Sequence, residues 1–223
     1  MKILIVLRRV GPYHHIRFQE AVKLGIDLKV IETRANSQEY PWEVNLKTSY
    51  EKISVSAKSN SEADLPKAEL DNLFNKLLSD WNPIAVVSVG WADISYLRLL
   101  VCCHKKRIPN IIVSDSRFRD KKRIFITELI KKYLIKGYQA ALVAGKESKN
   151  YLISLGYQSN SIFQPWDVVD NRYFSSKSIN DEEEEVFKHF LCVGRFLKRK
   201  NHRILLKAYS EYQLEGGTLG LKL

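Results

Sequence analysis

The chain has 223 residues, 45% hydrophobic and 27% charged, a globular balance with enough length for one full domain and part of another; collagen, disordered and disulfide-scaffold classes are excluded. Its 36 Lys+Arg against 25 Asp+Glu leave a formal charge of +11, which points to an acidic partner such as phosphate, nucleic acid or an anionic membrane surface. Cys102, Cys103 and Cys192 are too few and too badly spaced for a disulfide framework, and no C-x-x-C suggests zinc, so a reducing, cytoplasmic setting is expected.

The first apolar run, 3–7, is followed at once by Arg8-Arg9. It lacks the longer apolar region and cleavage site of a signal peptide and predicts a strand. Nowhere does the sequence hold the roughly 18 consecutive apolar residues that a spanning helix needs. Further β-branched runs at 28–32, 84–89, 110–114 and 140–144 alternate with amphipathic stretches at 13–24, 65–81, 94–106, 122–136 and 146–155. This βαβα order predicts a doubly wound α/β domain, with Pro83 and Pro109 stopping the helices that precede two strands. Residues 35–64 are read as an irregular excursion with one strand around 50–55. After 155 comes a short strand from 161 running into a Pro165 crossing. The acidic run 181–185 marks a linker, and a new strand, helix and strand follow at 190–194, 201–212 and 219–223. The expected domains are therefore 1–170, a linker 171–189 and 190–223, the last read as an incomplete second α/β domain.

Candidate functional residues gather where strands end. Gly11, His14 and His15 occupy the first β-to-α turn, at the carboxyl end of the first strand, where open α/β sheets bind ligands. Adjacent side chains at a helix start diverge, so one histidine is expected to face a cleft, as a hydrogen-bonding group for an acceptor hydroxyl or as a helix cap. No residue at i+3 or i+4 completes a metal site there. Trp91 could stack on a sugar or lipid, and Asp93 could accept from a hydroxyl or cap the next helix. Ser114-Asp115-Ser116 ends the following strand in the same way. Cys102 and Cys103 read as core thiols.

Between 98 and 136 lie twelve Lys/Arg against Asp115, Asp120 and Glu128. Arg117, Arg119, Lys121, Lys122 and Arg123 form a candidate membrane-surface patch. Ile126, Leu129, Ile130, Tyr133 and Leu134 follow at helical spacing, giving an apolar stripe with basic flanks. That stripe suits an interfacial helix or a helix covering its own sheet. Neither a helix-turn-helix nor an RNA-binding signature is present, so nucleic acid is not the expected partner.

The stretch 190–202, F-L-C-V-G-R-F-L-K-R-K-N-H, is a strand ending in Gly-Arg, a basic turn and a helix start, in outline an anion clamp; alternatively it is a solvated basic turn capped by Asn201. Its G-R-F-x-x-x-K-N pattern, with the following I-L-L-K-A-Y, resembles the start of the nucleotide-binding domain of family 4 glycosyltransferases. The crossing Q-P-W-D-V-V-D at 164–170, with Phe174, is similar to that family's P-N-G-V-D-x-x-x-F, and residues 1–24 resemble its acceptor-side strand, loop and helix. Trp166, Val168 and Val169 depart from the family pattern.

The resemblance implies the GT-B fold and a retaining transfer of a sugar from a nucleotide-diphosphate donor to a glycan or lipid acceptor, with no metal or other cofactor. It implies that Arg195 and Lys200 hold the donor diphosphate. It places the family's pair of glutamates beyond Leu223, so this chain alone is expected to be inactive. The competing expectation is a non-catalytic basic module on an anionic membrane surface, and either would sit in the cytoplasm, at the inner face of the membrane.

Overall fold

The computed structural model describes residues 1–34, 47–55, 67–91, 93–120, 122–176 and 189–223. The chain divides into two compact units, Met1–Asn171 and Arg172–Leu223.

The first unit is a seven-stranded sheet in which every pairing is parallel. Its strands are β1 (Lys2–Leu7), β2 (Asp27–Glu32), β3 (Glu51–Ser54), β4 (Ala85–Val89), β5 (Asn110–Ser114), β6 (Ala140–Val143) and β7 (Ile162–Phe163), in the order β3-β2-β1-β4-β5-β6-β7. The helices are α1 (Pro12–Lys23), α2 (Lys67–Asp80), α3 (Ile94–Lys106), α4 (Phe125–Leu134) and α5 (Lys146–Ser154). This is the doubly wound, Rossmann-like architecture expected from the strand-helix alternation.

Both faces of the sheet are buried, which is why its strands read as nearly continuous apolar runs. Period-two alternation along β1 divides the core. Leu4 and Val6 join Phe74, Leu78 and Leu99 from α2 and α3, whereas Ile5 and Leu7 join Phe18 of α1, Val30 and Tyr50. A third cluster sets Ile112, Ala141 and Val143 against Tyr151 and Leu152 of α5. Cys102 and Cys103 are buried in the first cluster, and burial pushes the Cys103 thiol up to about 12; both are core thiols.

Two local outcomes differ from the sequence expectation. The helix expected over 122–136 is shorter: short 3-10 turns at Phe118–Asp120 and Ile135–Gly137 flank α4. Within the expected linker, Asn171–Ser176 forms a further helix, α6, which starts just after the helix-initiating residue type Asp170. The acidic run 181–185 lies outside the described residues.

In the second unit, β8 (His189–Leu191) and β9 (Gly220–Lys222) pair in parallel beside α7 (His202–Leu214). None of the described residues 189–223 is buried. Two strands and one helix cannot enclose a core of their own.

Candidate functional site

The strand order reverses between β1 and β4. From β1 the chain first moves out to β2 and β3, then returns to build β4 to β7 on the other side. Loops leaving the carboxyl ends of β1 and β4 therefore part, opening the crevice at which such sheets bind ligands.

A buried carboxylate shapes the first of these loops. Glu32, 4% exposed at the end of β2, accepts from the Val10 amide at 2.7 Å, from Ser54 Oγ at 2.7 Å and from Lys52 Nζ at 3.3 Å. It ties the β1–α1 loop to β2 and β3, and Gly11 follows as the extended residue before α1. The Gly11 amide donates to His14 Nδ1 at 3.1 Å, which leaves the His14 proton on Nε2.

The two histidines diverge as adjacent helical residues must. His15 is buried, with Nδ1 at 3.1 Å from Tyr50 Oη, and its pKa is lowered by burial and then by Lys52; burial in turn raises the Tyr50 hydroxyl. His15 is thus a core residue. His14 stacks on Phe18 at 6.1 Å, and burial followed by the Arg17 charge lowers its pKa to about 4. It is a neutral imidazole at neutral pH, able to donate from Nε2.

Arg17, one turn on, joins α1 to the crossing after β7. Its Nη1 donates to the Trp166 carbonyl at 2.9 Å and lies 3.4 Å from Asp167 Oδ1, its Nε donates to the Tyr13 carbonyl, and its guanidinium stands 4.7 Å from the Trp166 ring centroid. The Trp166 amide bonds the Val143 carbonyl at 2.8 Å, holding the crossing against the end of β6. Asp115, just past β5, has its pKa raised by burial and by Asp167 and lowered by Arg17. One neutral imidazole, one guanidinium and two carboxylates thereby share the carboxyl edge of the sheet. They are donors and acceptors of the kind that bind a polyhydroxylated ligand.

Asp93 caps α3, accepting from the Ser95 amide at 2.9 Å, and Trp91 packs against the third core cluster. Sequence reasoning did not single out Arg17 or Glu32. Glu32 carries a signal, a charged residue closing an otherwise apolar parallel strand. The Arg17–Trp166 pair joins residues 149 positions apart and has none.

The second unit places Gly194, Lys200 and His202 together, since a Cβ on Gly194 would stand 3.9 Å from Lys200 Cδ and 4.0 Å from His202 Cε1. The basic turn ends in a 3-10 segment, Lys198–Lys200, and Lys200 is exposed. The Arg195 carbonyl lies 3.0 Å from His202 Nε2. Asn201, one expected cap, takes a left-handed conformation with φ 55° and makes no side-chain cap bond to α7. The N-terminal amides of α7 and the Lys200 ammonium are among the groups here that could meet an anion.

Of the basic patch, Arg117 pairs with Asp120 at 3.0 Å, Arg119 and Lys122 are exposed, and Lys121 lies outside the described residues. Arg123 departs from the expected outward position. It donates to the Arg117 and Phe118 carbonyls and to Tyr151 Oη, and stacks on the Tyr151 ring at 4.3 Å. Its side chain is 16% exposed, because a long stem and planar head gain more over an aromatic ring than in water. Among the described residues no group of three His, Cys, Asp or Glu could hold a metal ion, and no helix is long and apolar enough to cross a membrane.

No protein-family model matches the chain, and no curated protein matches it by sequence. Solved structures do. The UDP-GlcNAc 2-epimerase of Methanocaldococcus jannaschii is similar over 100% of this chain and 66% of its own, at 17% identity and a TM-score of 0.55. That of Rickettsia bellii matches over 94% and 60%, at 16% identity and a TM-score of 0.56. That of Neisseria meningitidis, solved with UDP-GlcNAc bound, matches over 73% and 45%, at 19% identity and a TM-score of 0.52. At such identities the likeness is one of fold, and the fold is Rossmann-like, of the GT-B type. The chain spans roughly half to two thirds of the length of these enzymes.

Proposed function

We propose that this chain supplies the acceptor-side domain and the first donor-side elements of a nucleotide-sugar enzyme of the GT-B type, a retaining glycosyltransferase with a glycan or lipid acceptor. One observation carries the proposal: in the second unit, Lys200 and His202 converge on Gly194 beside the start of α7, each within about 4 Å of where a Cβ there would stand, an arrangement suited to a diphosphate. Arg195 and Lys200 are assigned to the donor diphosphate. His14, with Asp115 and Asp167, is assigned to the acceptor hydroxyls, Gly11 shaping the loop that presents His14. No metal or other cofactor is required for this assignment.

Calorimetric titration of UDP- and GDP-sugars tests it, with the 223-residue chain alone and continued by any reading frame downstream of codon 223. Lys200→Ala removes a charge-assisted hydrogen bond to the donor and should weaken its binding roughly tenfold or more. Unchanged donor affinity in both Arg195→Ala and Lys200→Ala overturns the clamp.

A second reading, C2 epimerisation of a UDP-sugar, is favoured by the structural likeness to enzymes of that name. Epimerisation needs no acceptor. Incubating the continued protein with UDP-GlcNAc alone therefore separates the two: a C2-epimerised nucleotide sugar supports the epimerase, and donor consumption only when an acceptor is added supports the transferase.

A further inference from the structure

Helix α4 is inside out. Phe125, Ile126, Leu129, Ile130 and Tyr133 are 54% to 81% exposed, and no residue of the helix is buried. At 100° per residue these five fall within one arc of about 140°. The opposite side carries Glu128 and Lys131, whose side chains are 18% and 16% exposed. They turn toward the body of the domain, where Tyr151 Oη donates to Glu128 Oε2 at 2.8 Å and accepts from Lys131 Nζ at 3.0 Å. A helix that merely covered its sheet would be arranged the other way, with charges in water and the apolar stripe inward. The exposed stripe continues into a groove of about 750 Å³ between α4 and the end of α5, lined by Leu129, Ile130, Tyr133 and Ile153, with Lys132 and Lys136 on its rim.

Charge decides what covers this face. The nearby acids are taken up internally, Glu128 by Lys131 and Arg123, Asp120 by Arg117. Lys132 and Lys136 are exposed beside the stripe, and Arg119 and Lys122 are exposed in the segment that leads into α4. A second copy docking through a twofold axis would bring like-charged rims together, which is unfavourable. An anionic bilayer complements the rim and receives the apolar side chains at the boundary between headgroups and acyl chains.

We propose that α4 is a membrane-docking helix that seats the first unit on an anionic lipid surface, with Phe125, Ile126, Ile130 and Tyr133 inserted and Lys122, Lys132 and Lys136 over the headgroups. The inference is independent of the reaction the protein catalyses. It moves the docking surface from the 117–123 cluster onto α4, because Arg123 is committed to Tyr151.

Vesicle co-sedimentation of the 223-residue chain tests it, with phosphatidylcholine alone or with about 30% phosphatidylglycerol, at about 0.1 M and about 0.5 M NaCl. Binding should be roughly tenfold or more stronger to the anionic vesicles at low salt and should fall at high salt. Ile126→Asn/Ile130→Asn and, separately, Lys132→Glu/Lys136→Glu should each abolish most of it. Both alter exposed positions, so the far-ultraviolet spectrum and melting temperature should be those of the unaltered chain. Equal binding to both vesicle types, or binding that either variant leaves unchanged, overturns the proposal. So does a micromolar dimer by sedimentation velocity that Ile126→Asn/Ile130→Asn dissociates while vesicles stay unbound, which assigns the face to a second copy.

Discussion

Arg17 on the first helix and Trp166 in the last crossing of the sheet domain are joined twice: the guanidinium lies 4.7 Å from the indole centroid, and Nη1 bonds the Trp166 carbonyl at 2.9 Å. Residues 149 positions apart thereby fix the separation of two walls of the carboxyl-edge crevice. Arg17→Met keeps the bulk and removes both interactions. It should destabilise the protein by about 1–3 kcal/mol, through the absence of a charged hydrogen bond and a cation–π interaction. Arg17→Lys should recover only part of this, since an ammonium lacks the planar fork. Urea denaturation followed by circular dichroism measures both, and an unchanged midpoint in Arg17→Met counts against the strut.

His14 makes stability depend on pH. Its folded pKa, about 4, lies below the ordinary value of 6.5, so between these values the unfolded chain binds the proton that the folded chain excludes. The stabilisation is complete above 6.5 and is lost as pH falls toward 4, by about 1–3 kcal/mol. His14→Asn places an amide oxygen near the position of Nδ1 and does not titrate. Its melting temperature should fall less steeply over that interval, and parallel curves for the two proteins would contradict the assignment.

Glu32 tests how the first loop is held. In Glu32→Gln, one accepting oxygen becomes a donor that faces either the Val10 amide or Ser54 and Lys52, leaving buried groups unmatched. A loss of about 1–3 kcal/mol is expected. Hydrogen exchange gives a more local readout: the Val10 amide, bonded to Glu32 at 2.7 Å in the native chain, should exchange faster while the amides of β5 stay protected.

Tyr151 gathers the inward charges of α4 around one hydroxyl. Tyr151→Phe leaves the ring in the third core cluster and strips Glu128, Lys131 and Arg123 of a shared partner. About 1 kcal/mol of stability should be lost, and trypsin should cut within 118–134 more readily. Unchanged cleavage there would show that α4 is held by its ends alone.

The strands were legible because a sheet buried on both faces needs unbroken apolar runs, and 3–7, 28–32, 84–89 and 110–114 could serve nothing else. Helix α4 shows where such reasoning stops. Periodicity in Ile126, Leu129, Ile130 and Tyr133 establishes an apolar stripe but carries no information on which way it faces. The direction is set by Tyr151, twenty residues from Lys131, drawing Glu128 and Lys131 inward. Arg123 was out of reach for a similar reason, since its sequence neighbours are basic and its ring partner is distant. At the crevice, local spacing was enough to flag His14 and to allow Asp93 as a cap. Arg17 and Glu32 acquire their meaning only from partners brought together by the finished sheet.

Three of the four tryptophans lie among the described residues, and these three divide the sheet domain optically. Trp81 sits at the amino ends of the strands, its ring 5.9 Å from Lys2 Nζ and 5.0 Å from Lys29 Nζ. Trp91 follows the carboxyl end of β4, and Trp166 stands over Arg17 at the opposite pole of the sheet from Trp81. An occupant of the crevice therefore meets indoles on its own side, while Trp81 gives a steady background emission from the far side. Single-tryptophan versions of the chain would turn the polarity of a parallel sheet into a spectroscopic coordinate, reporting which end of the strands a ligand has reached.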